Sequence, residues 1–218
     1  MKFLFFFLLL VILSCSNENK YIINGFIKDP FFEGKKVYLV PMDNAVAENV
    51  DSTIIKNGKF SFSGNADSNA FMIVRAKSFF PKTVQDLMVI LCEGETNVNI
   101  DIKSSASGTE LNRKLQEWKD KKEELDSLQY IVFQQSKLSK ENKSRQDSLK
   151  NISDSLSKEM KENNLVYIKN NINNGVGLFI FRIFYHSFTY EEKKEIISLG
   201  SANWKKDPVL KKLIEEIK

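Results

Sequence analysis

Cysteine is nearly missing from this 218-residue chain. There are 2, at positions 15 and 92, and no C-x-x-C pair, which excludes a disulfide scaffold and the dithiol chemistry of a thioredoxin-type site. Histidine is scarcer, with 1 at position 186, so a His-rich metal centre is not expected. Only 4 prolines and 9 glycines are present, too few for a collagen-like or low-complexity chain. Charge of one sign is lacking as well: 32 Lys+Arg against 28 Asp+Glu leave +4. Lysine doublets beginning at Lys35, Lys121, Lys193, Lys205 and Lys211 are scattered and mostly near Glu, the pattern of solvated faces rather than of a phosphate-binding stripe. No nucleic-acid partner is expected. Gly175-Val176-Gly177 lacks the third glycine of a dinucleotide fingerprint, so no cofactor is expected either. What is present, 42% hydrophobic and 28% charged residues, is the composition of a globular protein with a packed core.

The longest apolar run, residues 3–13, follows Met1-Lys2 and ends at Ser14-Cys15. It is too short to cross a bilayer as a helix, which takes about 20 residues, and fits the apolar region of an export signal. Ile12, Leu13, Ser14 and Cys15 resemble the lipobox of bacterial lipoproteins, in which the cysteine is acylated and becomes the new N-terminus; Leu13 is bulkier than usual there. This predicts a signal peptide over residues 1–14 and a lipidated tether over 15–20, with Cys15 as the attachment site. The acyl chains would give lasting attachment to a membrane, since each buried methylene adds about 0.8 kcal/mol. Ser16 after the cysteine points, by analogy with sorting rules, to the outer membrane, and the expected location is the cell envelope. Cys92 is then the single remaining thiol.

Two periodicities divide the rest. From 21 to about 105 the chain reads as seven short strands, at 21–28, 36–41, 52–56, 59–63, 70–77, 86–92 and 96–102. Asn57-Gly58 between apolar flanks predicts a tight type I′ hairpin, and Glu93-Gly94 a turn between the last two strands. Seven strands with regular turns imply an antiparallel β-sandwich. From 106 to 218 the pattern is helical. Ser107 and Glu110 fit a capping box for a helix beginning near Thr109. Leu111, Leu115, Trp118, Leu125, Leu128 and Val132 then form a stripe, continued by Leu149, Ile152, Leu156 and Met160, which predicts a long antiparallel helical hairpin, with a single extended helix as the alternative because no Gly or Pro marks the turn. Residues 170–177 break it, the apolar segment 178–188 follows, Thr189 and Glu192 form a second capping box, and Asp207-Pro208 opens a last helix carrying Leu210, Leu213, Ile214 and Ile217. The fold class expected is α+β.

N-G-F-I-K at 24–28, K-K-V-Y-L at 35–39, V-D-S-T-I-I-K-N-G-K-F-S-F-S-G at 50–64, V-I-L-C-E-G-E-T-N-V-N-I-D-I at 89–102 and S-G-T-E-L-N at 107–112 resemble the family called domain of unknown function 4369, over roughly residues 21–115. In many larger members this part precedes a thioredoxin-like thiol-disulfide domain. Here the sequence ends at Lys218 without a W-C-x-x-C, so the resemblance implies fold and compartment and carries over no catalytic residue.

Several residues invite a chemical role. Cys92 follows an apolar strand and is flanked by Glu93 and Glu95 rather than by cations, which suits a structural thiol better than a reactive one. His186 has no zinc-spaced companion and no nucleophile elbow. Asp51-Ser52 precedes the hairpin and reads as a strand start fixed by side-chain hydrogen bonds. D-S-L at 126–128, 147–149 and 154–156 resembles an O-glycan acceptor motif, yet also suits helices with leucine inward and Asp-Ser outward. Segment 178–188 is expected to pack on the hairpin, with docking on a protein partner as the alternative. The function expected is a membrane-anchored, non-enzymatic binding or scaffolding lipoprotein, the alternative being an accessory subunit that recruits a separate thioredoxin-like oxidoreductase.

Overall fold

The computed structural model describes residues 19–66 and 70–215. The expected signal peptide, Cys15, most of the tether and Ile217 lie outside the described residues. Eight strands come first: β1 (Lys20–Phe26), β2 (Lys36–Pro41), β3 (Asp51–Ile54), β4 (Lys59–Asn65), β5 (Phe71–Ala76), β6 (Leu87–Ile90), β7 (Gly94–Asn99) and β8 (Ser105–Gly108). They form two four-stranded sheets, ordered β4-β1-β7-β8 and β3-β2-β5-β6. Every pairing is antiparallel except β1 with β7, which run parallel.

Period-two patterning builds the first core. Tyr21 and Ile23, Phe60 and Phe62, and Val98 point inward from one sheet, and Val37, Leu39, Met72, Val74, Leu87 and Val89 from the other, as alternation on a pleated strand requires. Polar Asn97 and Asn99 face water.

Asn57 (φ 52°) and Gly58 (φ 71°) adopt the left-handed conformation of a type I′ turn, and the Glu33 carboxylate accepts both turn amides at 2.9 and 3.0 Å. The strands on either side do not form the expected simple hairpin: β3 pairs with β2 and β4 with β1, in opposite sheets. The cause is Ile55, buried between the sheets with its N–H bonded to the Lys35 carbonyl and its carbonyl to the Gly34 N–H. Beyond the turn-forming pair Lys56 and Lys59, the chain crosses from one sheet to the other. β6 and β7 likewise join opposite sheets.

Five helices follow: α1 (Glu110–Leu138), α2 (Lys143–Asn170), α3 (Gly175–Phe184), α4 (Tyr190–Leu199) and α5 (Pro208–Glu215). α1 and α2 form the expected antiparallel hairpin, turning through residues 139–142 with Asn142 capping α2 by accepting from Arg145 N–H at 3.0 Å. The Thr189–Glu192 capping box and the Asp207 cap on Leu210 N–H (2.7 Å) are present. The Ser107–Glu110 box is not. Ser107 belongs to β8, opposite Asn97, and Thr109 is the N-cap residue. Its hydroxyl receives the Asn112 amide at 2.9 Å instead of capping the helix. The apolar stripe also departs from expectation in the outer hairpin. Leu125 and Leu149 are buried, but Leu128 and Ile152 are 43% and 46% exposed. The seam there runs through Gln129, which donates to Ser153 at 2.8 Å, and Ser136, which donates to Gln146 at 2.8 Å.

The helices cover the outer face of the second sheet. Phe71 and Met88 pack with Ile90 against Trp118, Phe179, Phe181 and Trp204 in a second core. Leu178, Phe179, Ile180, Phe181, Tyr185 and Phe188 of segment 178–188 are therefore packed inside, whereas Ile183, His186 and Ser187 face water; Phe179 lies edge-on to Trp118 (5.8 Å between centroids) and tilted on Phe71 (5.4 Å). Among the described residues no helix is long and apolar enough to cross a membrane.

Candidate functional site

The seam between sandwich and helices holds the buried polar residues Thr96, Ser104 and Asn112. Asn112, in the first turn of α1, is buried, and its carboxamide copies a neighbouring strand. Oδ1 accepts the Ile90 N–H at 2.8 Å and Nδ2 donates to the Ile90 carbonyl at 2.9 Å. The amide also reaches the Thr96 hydroxyl at 3.0 Å and, more weakly, the Cys92 Sγ at 3.9 Å. In this way α1 closes the edge of β6 that pairing leaves open. Gln116 does the same for β8, accepting the Ala106 N–H at 2.8 Å. Lys119 bonds the Ser104 carbonyl, and the Gln85 side chain at 3.0 Å.

Farther along the seam is a cleft of about 670 Å³ between the β2 end, Phe71, the start of α3 and the turn before α5. Arg182 of α3 lies on its wall. The side chain is 5% exposed, grips Asp43 of the sandwich through both carboxylate oxygens at 2.6 and 2.7 Å, and reaches Asp207 at 3.3 Å. Its guanidinium carbon stands 5.8 Å over the Phe71 ring, while Nε is buried without a hydrogen-bond partner. A buried charge persists only when paired, and two carboxylates supply that here. Asn173, Asn174, Asn203 and Lys206 complete a polar rim.

The residues singled out by sequence do not converge. Cys15 is outside the described residues. Cys92 is half-buried and free, against the Asn112 amide. His186 is exposed on a short turn after α3, edge-on to Tyr185 at 5.2 Å. Asp51 accepts the Ser52 N–H at 2.6 Å, as a strand-start bond should. Apart from that Asp51–Ser52 contact, no hydrogen bond joins these groups to one another among the described residues, and no three potential metal ligands cluster there. The D-S-L serines are exposed on the hairpin; Ser127 donates to the Glu123 carbonyl at 2.7 Å. Arg182 and Asn112 were invisible as site residues. Their partners lie 139 and 22 residues away, and an Arg inside an apolar helix, R at 182 between Phe181 and Ile183, was the one available sign.

Residues 21–115 match the family model described as a domain of unknown function (DUF4369). No curated protein matches the chain, and no solved structure does.

Proposed function

We propose that this protein is a lipid-anchored protein of the cell envelope that binds a partner or ligand without transforming it. Cys15 is its acylated residue, behind a signal peptide. The observation that carries the binding role is Arg182: a charge held inside the wall of a cleft by Asp43 and Asp207, with its Nε unmatched. A preformed concave site with few fixed polar groups is the usual form of a binding pocket. The thiol, imidazole and Asp-Ser pair are separately engaged or exposed, which favours binding over acid-base or nucleophilic chemistry.

Two measurements test this. Cells fed an alkyne palmitate should label the wild-type chain and not Cys15→Ser, and the variant should leave the membrane fraction. An unmodified leader in the mass of the mature protein would refute the anchor. A photo-crosslinking residue at Asn203 should give a discrete adduct in intact cells that is lost in Arg182→Lys, while the same probe at exposed Lys158 gives none. Turnover in a hydrolase or oxidoreductase screen, abolished by His186→Ala or Cys92→Ser, would overturn the binding role.

A further inference from the structure

One end of the sandwich, where β1, β5 and β7 stop, presents apolar side chains on loops that are firmly held. The turn at residues 79–82 is closed by the Phe79 N–H on the Lys82 carbonyl at 3.0 Å. It carries two rings into water, Phe80 at 93% exposure and Phe79 at 58%. Gln85 of the same loop gives its backbone N–H to the Asp101 carbonyl at 2.8 Å, and its own carbonyl accepts the Ser104 hydroxyl at 2.6 Å. The loop bearing Ile102, 76% exposed, is thereby fixed alongside. Lys82 and Asp29 strap the β1–β2 loop to this tip at 2.8 Å.

The charges around the tip are unequal. Its carboxylates are engaged locally: Asp29 with Lys82, Asp86 with Arg75 at 2.7 Å, and Asp101 with the Ile102 N–H at 2.7 Å. Lys28, Lys77 and Lys103 stand exposed there and form no salt bridge among the described residues. Aromatic and aliphatic side chains at loop tips, ringed by cations on flexible stems, fit a surface that is apolar inside and anionic outside. We propose that this tip docks on an anionic phospholipid bilayer, with Phe79, Phe80 and Ile102 entering the headgroup–acyl boundary and Lys77 and Lys103 meeting the phosphates. Ile102 argues against a nucleic-acid partner, because stacking on bases requires a π face. The contact is separate from the acyl tether: it lies at the Phe26 end of β1, whereas the tether joins at Lys20.

The test uses the full chain carrying Phe80→Trp, added to phosphatidylglycerol/phosphatidylethanolamine vesicles with ordinary or brominated acyl chains. Trp118 and Trp204 are buried, so the introduced indole reports the tip, however the rest of the chain is held. Its emission should shift to the blue and be quenched by the brominated lipid. Adding Lys77→Gln and Lys103→Gln should raise the lipid concentration that gives the half-maximal shift about fivefold for each lysine removed. An indole that stays water-exposed and unquenched while the chain sediments with the vesicles overturns the proposal. A half-maximal lipid concentration that does not rise after both lysines are neutralised does the same, as does a shift produced by a single-stranded oligonucleotide but not by vesicles.

Discussion

Gly25 and Gly64 are each covered by an aromatic ring from the strand opposite. Gly25 faces Phe60 and Gly64 faces Tyr21 across the β1–β4 ladder. A methyl group at Gly25 would overlap the Phe60 ring, and one at Gly64 would lie 2.9 Å from Tyr21. Gly25→Ala should therefore displace a core ring and destabilise the fold by about 1–3 kcal/mol, read as a lower urea midpoint at unchanged slope. Asn112 sets a second residue-scale test. Asn112→Ala strips the Ile90 N–H and carbonyl of their partners in a buried place and should cost about 2–6 kcal/mol, since each unsatisfied backbone group costs about 1–3 kcal/mol. Cys92→Ser, at the weak end of the same cluster, should change stability far less. The sequence displayed Cys92 and hid Asn112, because a thiol announces its chemistry, whereas an asparagine acquires its role only when a strand edge arrives 22 residues away in sequence.

Elements were legible where the information was local. The turn at Asn57-Gly58, the Thr189–Glu192 box and both long helices follow from neighbouring residues alone. Which sheet each strand joins did not, since that depends on Ile55 and on β1 meeting β7 in parallel. Strand β8 is not legible in the sequence, because S-A-S-G has little β propensity and is held by β7 and by Gln116. The capping box yields a test with a definite sign. Partial burial pushes the Glu192 carboxyl up, but hydrogen bonds from Lys161 and the Thr189 N–H outweigh it and hold the group below its ordinary range. Its contribution is thus present above the usual glutamate pKa and fades as pH falls below about 4. The stability gap between wild type and Glu192→Gln should be constant near neutrality and close at acid pH in denaturant titrations, while Thr189→Ala should cost about 1 kcal/mol. On the outer hairpin, Leu125→Ala should cost about 2–5 kcal/mol and Leu128→Ala under about 1 kcal/mol, whereas a uniform leucine stripe implies similar costs for the two.

At the scale of the molecule, the second sheet is a shared wall. Its inner face closes the sandwich and its outer face, through Phe71, Met88 and Ile90, floors the helical core. Arg182 adds a polar clasp from α3 to Asp43. Neither part can separate without exposing the rings of Phe71 and Phe179, so the sandwich and the helices should unfold together rather than as two domains. Trp118 and Trp204 both report the helical core, while amide exchange in β1 and β7, on the far sheet, reports the sandwich. The two should share one midpoint in urea. Phe179→Ala removes the ring between Phe71 and Trp118 and should cost about 3–5 kcal/mol, lowering both signals in step. Strand protection that outlasts the tryptophan transition, in wild type or in Phe179→Ala, would mean that the wall does not couple its two faces.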